Sequence, residues 1–554
     1  MTDITAISRR TLLGGGIALA PVLLGAATRP GTRPVVEIAS GRVRGIHANG
    51  ALAFKAIPYA ADTGGANRFM PPRPVQPWAG IRDAADWGNR CPQPGEADLT
   101  AMQWMAWYKA LTDRQGEDCC VLNVFTRDLN RAAKRPVMVY IHGGGFRTGG
   151  SDTAGIEGRN LARLGDVVVV TVNHRINVLG FTNLRFLGDQ FADSANVGMM
   201  DLVAALKWVR ENIAQFGGDP HCVTIFGQSG GGSKVSTLMG MPSAKGLIHR
   251  AINMSGPTVF QQVSLPKMEA IGQLFARNLG IDRSNIAKLR EVPAAQLVAA
   301  HRTAVTAIGG DDFRPTIDGR SVPFGPFSAE ALANHAHVPL MIGTTQTEAT
   351  LWTARDPRNT GATAEQARTR IARQYGITDG EAAKVMQAYR DADPGRTPGD
   401  VLAALASDGI FRTSVLRGAE AKAAASRAPV FVYNFGWKIP LEGGIWGSPH
   451  TADIPFAFGN VENARMMTGP GAGPAQVGAM MLATYVSFAR NGNPANRYLP
   501  AWKPYAGTDG MTMRLKSGPV AVKDFQGVER RTYEALPTQV SYQLLQGPLV
   551  RPPA

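Results

Sequence analysis

Ser229 lies in the string Val223-Thr224-Ile225-Phe226-Gly227-Gln228-Ser229-Gly230-Gly231-Gly232, where four apolar or β-branched residues run into Gly-x-Ser-x-Gly. A serine framed by glycines at a strand-to-helix turn suits nucleophilic acyl transfer, because the strained turn lifts the hydroxyl above the sheet. Glycines at 227 and 231 let strand and helix approach, and Gly230 leaves its N–H open to a reacting oxygen. Gly-x-Ser-x-Gly also occurs in ordinary turns, so its neighbours decide. A second string, Val137-Met138-Val139-Tyr140-Ile141-His142-Gly143-Gly144-Gly145-Phe146, carries another apolar run into His-Gly-Gly-Gly. Acyl transfer puts negative charge on the former carbonyl oxygen, and fixed backbone N–H groups stabilise it without reorganising. Loss of one such donor costs on the order of 10²–10³ in rate. Gly144, Gly145 and Gly230 are the expected donors of this oxyanion hole, with His142 orienting the loop rather than moving protons.

A serine nucleophile needs a base, and the base needs an orienting acid. The elbow resembles that of α/β-hydrolases, in which the chain order is serine, acid, histidine. Of the nine histidines, only His249, His301, His335, His337 and His450 follow Ser229. His249 is too near the serine to leave room for an acid-bearing strand. The strand-like run 337–343 ends in Thr344-Thr345-Gln346-Thr347-Glu348, which sets a carboxylate at a strand's C-terminal edge, where open α/β sheets keep their chemistry. With Glu348 as acid, His450 is the one histidine remaining downstream. It lies in the turn-rich loop Gly447-Ser448-Pro449-His450-Thr451-Ala452-Asp453.

With these pieces in place, the chain from about 35 to 515 resembles the type-B carboxylesterase and cholinesterase family. Collinear support comes from Phe54-Lys55-Ala56-Ile57-Pro58-Tyr59-Ala60, Glu117-Asp118-Cys119, Asn173-His174-Arg175, Phe216-Gly217-Gly218-Asp219-Pro220 and Ala251-Ile252-Asn253-Met254-Ser255-Gly256. The resemblance implies the trio Ser229, Glu348 and His450, and a supporting role for Ser255. It also implies a bridge between Cys91 and Cys119, worth about 3–4 kcal/mol if unstrained. Cys120 is expected on the other strand face, and Cys120 and Cys222 as buried free thiols. Three departures stand out: Gly230 where the family usually has alanine, Thr347-Glu348-Ala349 for the usual Asp-Glu-Gly, and His174 for a tyrosine. None removes a catalytic atom. By sequence proximity, Phe146, Arg147 and Trp352 are candidate pocket residues. Met102, Trp104, Met105, Trp107 and Tyr108, in the cysteine-bounded loop, either line the cleft or pack the loop down.

These groups must be carried by a large α/β fold. At 554 residues with 44% hydrophobic content, one core can be buried, and no long linker, repeat or low-complexity tract divides the chain. Leu202, Leu206, Val209, Ile213 and Phe216 repeat at helical spacing, predicting a helix over 201–216. Strands alternating with such helices predict a mostly parallel central sheet with helices on both faces. Helix-rich stretches at 266–302 and 363–427 are expected to wall the active-site cleft.

Residues 1–27 carry Ser8-Arg9-Arg10-Thr11-Leu12-Leu13, a short glycine-broken apolar run and small residues. They are read as a twin-arginine export signal, leaving 28–554 as one hydrolase domain in the periplasm or outside the cell. No other membrane anchor is expected. The net charge of +15 favours acidic surfaces or substrates, but the cations are dispersed, so no nucleic-acid partner is expected. No cysteine or histidine cluster has metal spacing and no phosphate-binding glycine fingerprint precedes a helix, so neither metal nor cofactor is predicted. The expected activity is ester hydrolysis through an acyl-enzyme. Lipase and amidase chemistry would use the same triad, and a non-catalytic binding protein on this fold would lack it.

Overall fold

Runs of β-branched and aromatic residues such as Val168–Val172 and Val430–Phe435 make strands buried on both faces, as a sheet covered by helices on each side demands. In the computed structural model, which describes residues 33–94, 102–257, 263–308, 313–507 and 510–537, such runs build an eleven-stranded sheet. Its spatial order is Val520–Val522, Thr512–Leu515, Val430–Phe435, Leu340–Thr345, Arg250–Met254, Gly218–Gln228, Arg135–Ile141, Val168–Val172, Val121–Thr126, Ala51–Pro58 and Ile46–Ala48. The strands from Thr512–Leu515 to Val168–Val172 in that order all run parallel, and pairing outside them is antiparallel. Alternation splits the core in two. Val168, Val170 and Val172 join the apolar cluster on one face, and Val167 and Val169 that on the other. From Pro34 onward the described residues form one compact unit.

The expected helix over 201–216 is present with shifted limits. It runs Val197–Asn212 and tightens into a 3₁₀ turn, Ile213–Phe216, that ends on Gly217 at φ 81°, a left-handed cap that glycine adopts freely. All five predicted core positions on it are buried. The strand read at 337–343 instead covers Leu340–Thr345, because Pro339 has no N–H for the ladder. The stretch 266–302 yields Leu265–Asn278 and Ala294–Ile308. The stretch 363–427 yields Ala364–Tyr375, Asp379–Ala392, Pro398–Ser407 and Thr413–Ala425, the first three opened by capping boxes at Thr363, Thr378 and Thr397. Between the last two helices Asp408–Arg412 forms a π turn.

Cys120 is a buried free thiol as expected, but the other cysteine expectations fail. Cys91, Cys119, Cys120 and Cys222 are all free thiols, so the implied Cys91–Cys119 bridge is absent, and Cys222 is only half-buried. Cys120 does not face away from its neighbour: Cys91, Cys119 and Cys120 are all buried in the same apolar cluster. The reason is local. Strand alternation begins at Val121, and the Val121 N–H donates to the Cys119 carbonyl at 2.8 Å, closing a tight turn before it. Residues 1–27 lie outside the described residues.

The segment Asn173-His174-Arg175 is fixed by a buried ion pair. Arg175 Nη2 and Nε donate to Asp201 Oδ1 and Oδ2 at 2.6 and 2.8 Å, and Nη1 donates to the Met70 carbonyl at 2.7 Å. Asp201→Ala would strand a buried guanidinium, at a cost of about 3–5 kcal/mol. The expected outcome is a clearly lower urea midpoint. An unchanged midpoint would show that this pair does not anchor the segment.

Candidate active site

The strand Gly218–Gln228 passes into the helix Gly230–Gly240 through Ser229 alone. Ser229 sits at φ 59° and ψ −126°, a conformation that costs a side-chain-bearing residue on the order of 1–3 kcal/mol unless its surroundings enforce it. Here its N–H is held by the Met254 carbonyl of the neighbouring strand at 2.8 Å. The flanking glycines have no alternative. A Cβ at 231 would stand 2.1 Å from the Ile141 carbonyl oxygen, and one at 227 would stand 2.6 Å from the backbone of Gly231.

The His-Gly-Gly-Gly loop leaves the next strand, Arg135–Ile141, and turns through Gly144 at φ 85°, Gly145 at φ 58° and Phe146 at φ 65°. It presses directly on the elbow. A Cβ at Gly143 would be 2.8 Å from the Gln228 carbonyl oxygen, and one at Gly230 would be 2.9 Å from Gly145 N and 3.2 Å from Phe146 N. That contact explains Gly230 where an alanine is usual in the resembled family: the loop occupies the space a methyl would need. Among the described residues no acceptor takes the N–H of Gly144, Gly145 or Gly230. Three donors from two segments are therefore open beside one serine.

Glu348 is 1% exposed and fully committed. Its Oε1 accepts from Ser255 Oγ at 2.6 Å and from the Thr345 N–H at 2.7 Å, while Oε2 lies 2.5 Å from His450 Nδ1. The His450 N–H also donates to the Glu348 carbonyl at 3.1 Å. With Nδ1 donating to the carboxylate, Nε2 is left as the acceptor that a general base requires. It sits 3.2 Å from the side-chain nitrogen of Gln228, the residue before Ser229. No hydrogen bond joins Ser229 Oγ to the imidazole. Such bonds commonly close only when substrate is bound.

The remaining candidates separate. Trp352 is beside His450, with ring centroids 5.2 Å apart, whereas Phe146 is buried and packs edge-on to Phe181 at 5.3 Å. Arg147 is exposed. Trp104, Met105 and Trp107 are buried, with Trp104 edge-on to Trp446 at 4.9 Å, so they pack their loop down. Two neighbours of His450 were missed. Gln228 is one, and Phe411, on the π turn, is the other, 4.4 Å from His450 and near-parallel to Trp352. A π turn is itself a recurrent mark of functional sites, yet no sequence periodicity signals it. Among the described residues no group of His, Cys, Asp or Glu side chains is arranged to hold a metal ion, and no helix is long and apolar enough to cross a membrane.

The sequence pattern of the Carboxylesterase family matches residues 32–533. The chain belongs to the carboxylesterase family. Para-nitrobenzyl esterase of Bacillus subtilis is 33% identical over 492 residues, covering 88% of this chain and 95% of that one. Phenmedipham hydrolase of Pseudarthrobacter oxydans is 32% identical over 526 residues, covering 93% and 100% respectively. The crystal structure of a Geobacillus stearothermophilus carboxylesterase superposes with a TM-score of 0.78 at 32% identity, over 90% of this chain and all of that one. This carboxylesterase is thus a carboxylic ester hydrolase of the α/β-hydrolase fold.

Asp453, three residues past His450, is wholly buried, and its Oδ1 has no hydrogen-bond partner among the described residues. Burial, with Glu348 nearby, pushes its carboxyl up from 3.8 to about 7. The folded state therefore holds this proton while the unfolded chain has released it, and stability falls as pH rises from about 4 to about 7. Asp453→Asn should flatten that slope in denaturation midpoints measured across this range; an unaltered slope would contradict the assignment. Gly230→Ala should force the His-Gly-Gly-Gly loop back. A displacement near 1 Å costs on the order of 10² in kcat, and a variant within threefold of wild type would show that the loop yields freely.

Proposed function

We propose that this carboxylesterase cleaves esters in two steps with Ser229 as nucleophile, His450 as general base and acid, and Glu348 as orienting carboxylate. His450 Nε2 takes the Ser229 proton as Oγ attacks the ester carbonyl carbon. The open N–H groups of Gly144, Gly145 and Gly230 receive the oxyanion. His450 then protonates the departing alcohol, and the same imidazole activates the water that releases the acid from the acyl-enzyme. Glu348 stays ionised and holds the Nδ1–H tautomer. Ser255 fixes the carboxylate by its hydroxyl.

The observation that carries this reading is the 2.5 Å contact between His450 Nδ1 and Glu348 Oε2, backed by Ser255, beside an elbow serine in a strained turn. Trp352 and Phe411 give the site an aromatic flank, and a relative is named for para-nitrobenzyl esters. Both support small esters with an aromatic group as substrates. Residues 1–27 remain our proposed twin-arginine export signal, with 28–554 the exported enzyme.

Ser229→Ala should lower turnover of a para-nitrobenzyl ester on the order of 10⁶-fold, and a fluorophosphonate should label Ser229 in the wild type. A variant that retains a tenth of the activity, or a label on another residue, would refute the assignment.

A further inference from the structure

The helix that follows the nucleophile buries a lysine. Lys234 is fully buried, one turn beyond Gly230 and on the same helix face. Its Nζ donates to the His142 carbonyl oxygen at 3.1 Å and stands 4.8 Å from the centre of the Phe146 ring. His142 and Phe146 are the residues immediately before and after Gly143, Gly144 and Gly145. One amine thus grips both ends of the glycine loop.

No ion pair among the described residues includes Lys234, and burial pulls its ammonium from 10.5 down to about 7. The nearest titratable groups offer no counter-charge. His142 and His174, their rings tilted against each other with centroids 4.6 Å apart, are both pushed well below their ordinary range, first by burial and then by Lys234 itself. A methionine would fill the same space without the desolvation penalty, and the amine lies near a helix N-terminus, where the dipole disfavours a cation.

The geometry has a functional reading. The oxyanion donors come from two separate segments, Gly144 and Gly145 on the loop and Gly230 on the helix. Oxyanion stabilisation requires them to be registered within fractions of an ångström. Gly231 already abuts the loop's root, since a Cβ there would stand 2.9 Å from the His142 carbonyl oxygen. We propose that Lys234 is a positioning residue that locks the glycine loop to the nucleophile helix and so sets the spacing between the two halves of the oxyanion hole. This rests on the oxyanion hole proposed above.

The test uses Lys234→Met and Lys234→Gln in the full chain, with kcat expressed per fluorophosphonate-titrated site so that misfolded protein does not count. Each protein is also assayed with an aryl trifluoromethyl ketone and the matching methyl ketone. Lys234→Met should lose about 10–100-fold in kcat with KM nearly unchanged, and should lose a similar factor in affinity for the trifluoromethyl ketone. Lys234→Gln, which keeps an N–H for the His142 carbonyl, should recover part of both. A merely structural lysine would lower the melting temperature and leave both readouts at wild-type values; kcat per site within twofold in both variants would overturn the proposal. Failure of the oxyanion reading looks different. There the wild type itself would bind the trifluoromethyl ketone no tighter than the methyl ketone, which would remove the basis for Lys234 as well.

Discussion

The carboxylate of Glu348 is the point on which the site is hung. It is buried, and a buried carboxylate survives only when every lone pair it exposes is satisfied. Its hydrogen bonds come from Thr345 at the end of its own strand, Ser255 beyond the adjacent parallel strand, and His450 from a loop about a hundred residues later. These residues can meet because parallel strands put their carboxyl ends side by side. Met254 is level with Gly343 on one side and with Gln228 on the other. The register of three central strands therefore delivers Ser229, Ser255 and Glu348 to a single edge of the sheet. The imidazole arrives with its tautomer already fixed.

Around that edge the backbone is held where side chains resist it. Phe146, Ser229, Ser255 and Thr451 all have positive φ, at 65°, 59°, 51° and 75°. Strain gathered at a reaction centre needs a rigid surround to enforce it. The paired strands, the Met254 carbonyl on the Ser229 N–H and the glycine contacts at 227 and 231 provide one. In the proposed mechanism this rigidity is preorganisation: open N–H groups that do not have to move when charge develops.

What was legible in the sequence follows from where each constraint lives. The elbow and the glycine loop are local, since their chemistry depends on residues adjacent in the chain. Glu348 was expected from its place just past a strand's carboxyl end, and His450 as the one histidine downstream of it; the structure brings the two side chains together. The helix 201–216 and the parallel sheet were legible through periodicity, though Pro339 and the cap at Gly217 moved their ends. Contacts between distant segments were not legible. Phe411 reaches His450 through a π turn, and Gln228 contacts the imidazole only because the 450 loop folds back over the elbow. The facing of Cys120 was misread for a local reason, the turn before Val121, which carries Cys119 and Cys120 into the same apolar cluster. Lys234 gave no signal, because a lysine within a helical stretch ordinarily faces water.

In the proposed mechanism three backbone amides, a serine and a carboxylate-held imidazole converge on one reacting centre. A crystal structure of the enzyme phosphonylated by a fluorophosphonate tests it most directly. Phosphorus is expected on Ser229 Oγ, with its phosphoryl oxygen within hydrogen-bond reach of the Gly144, Gly145 and Gly230 N–H groups and His450 Nδ1 still on Glu348. A phosphoryl oxygen turned away from those amides, or an imidazole released from Glu348, would contradict it.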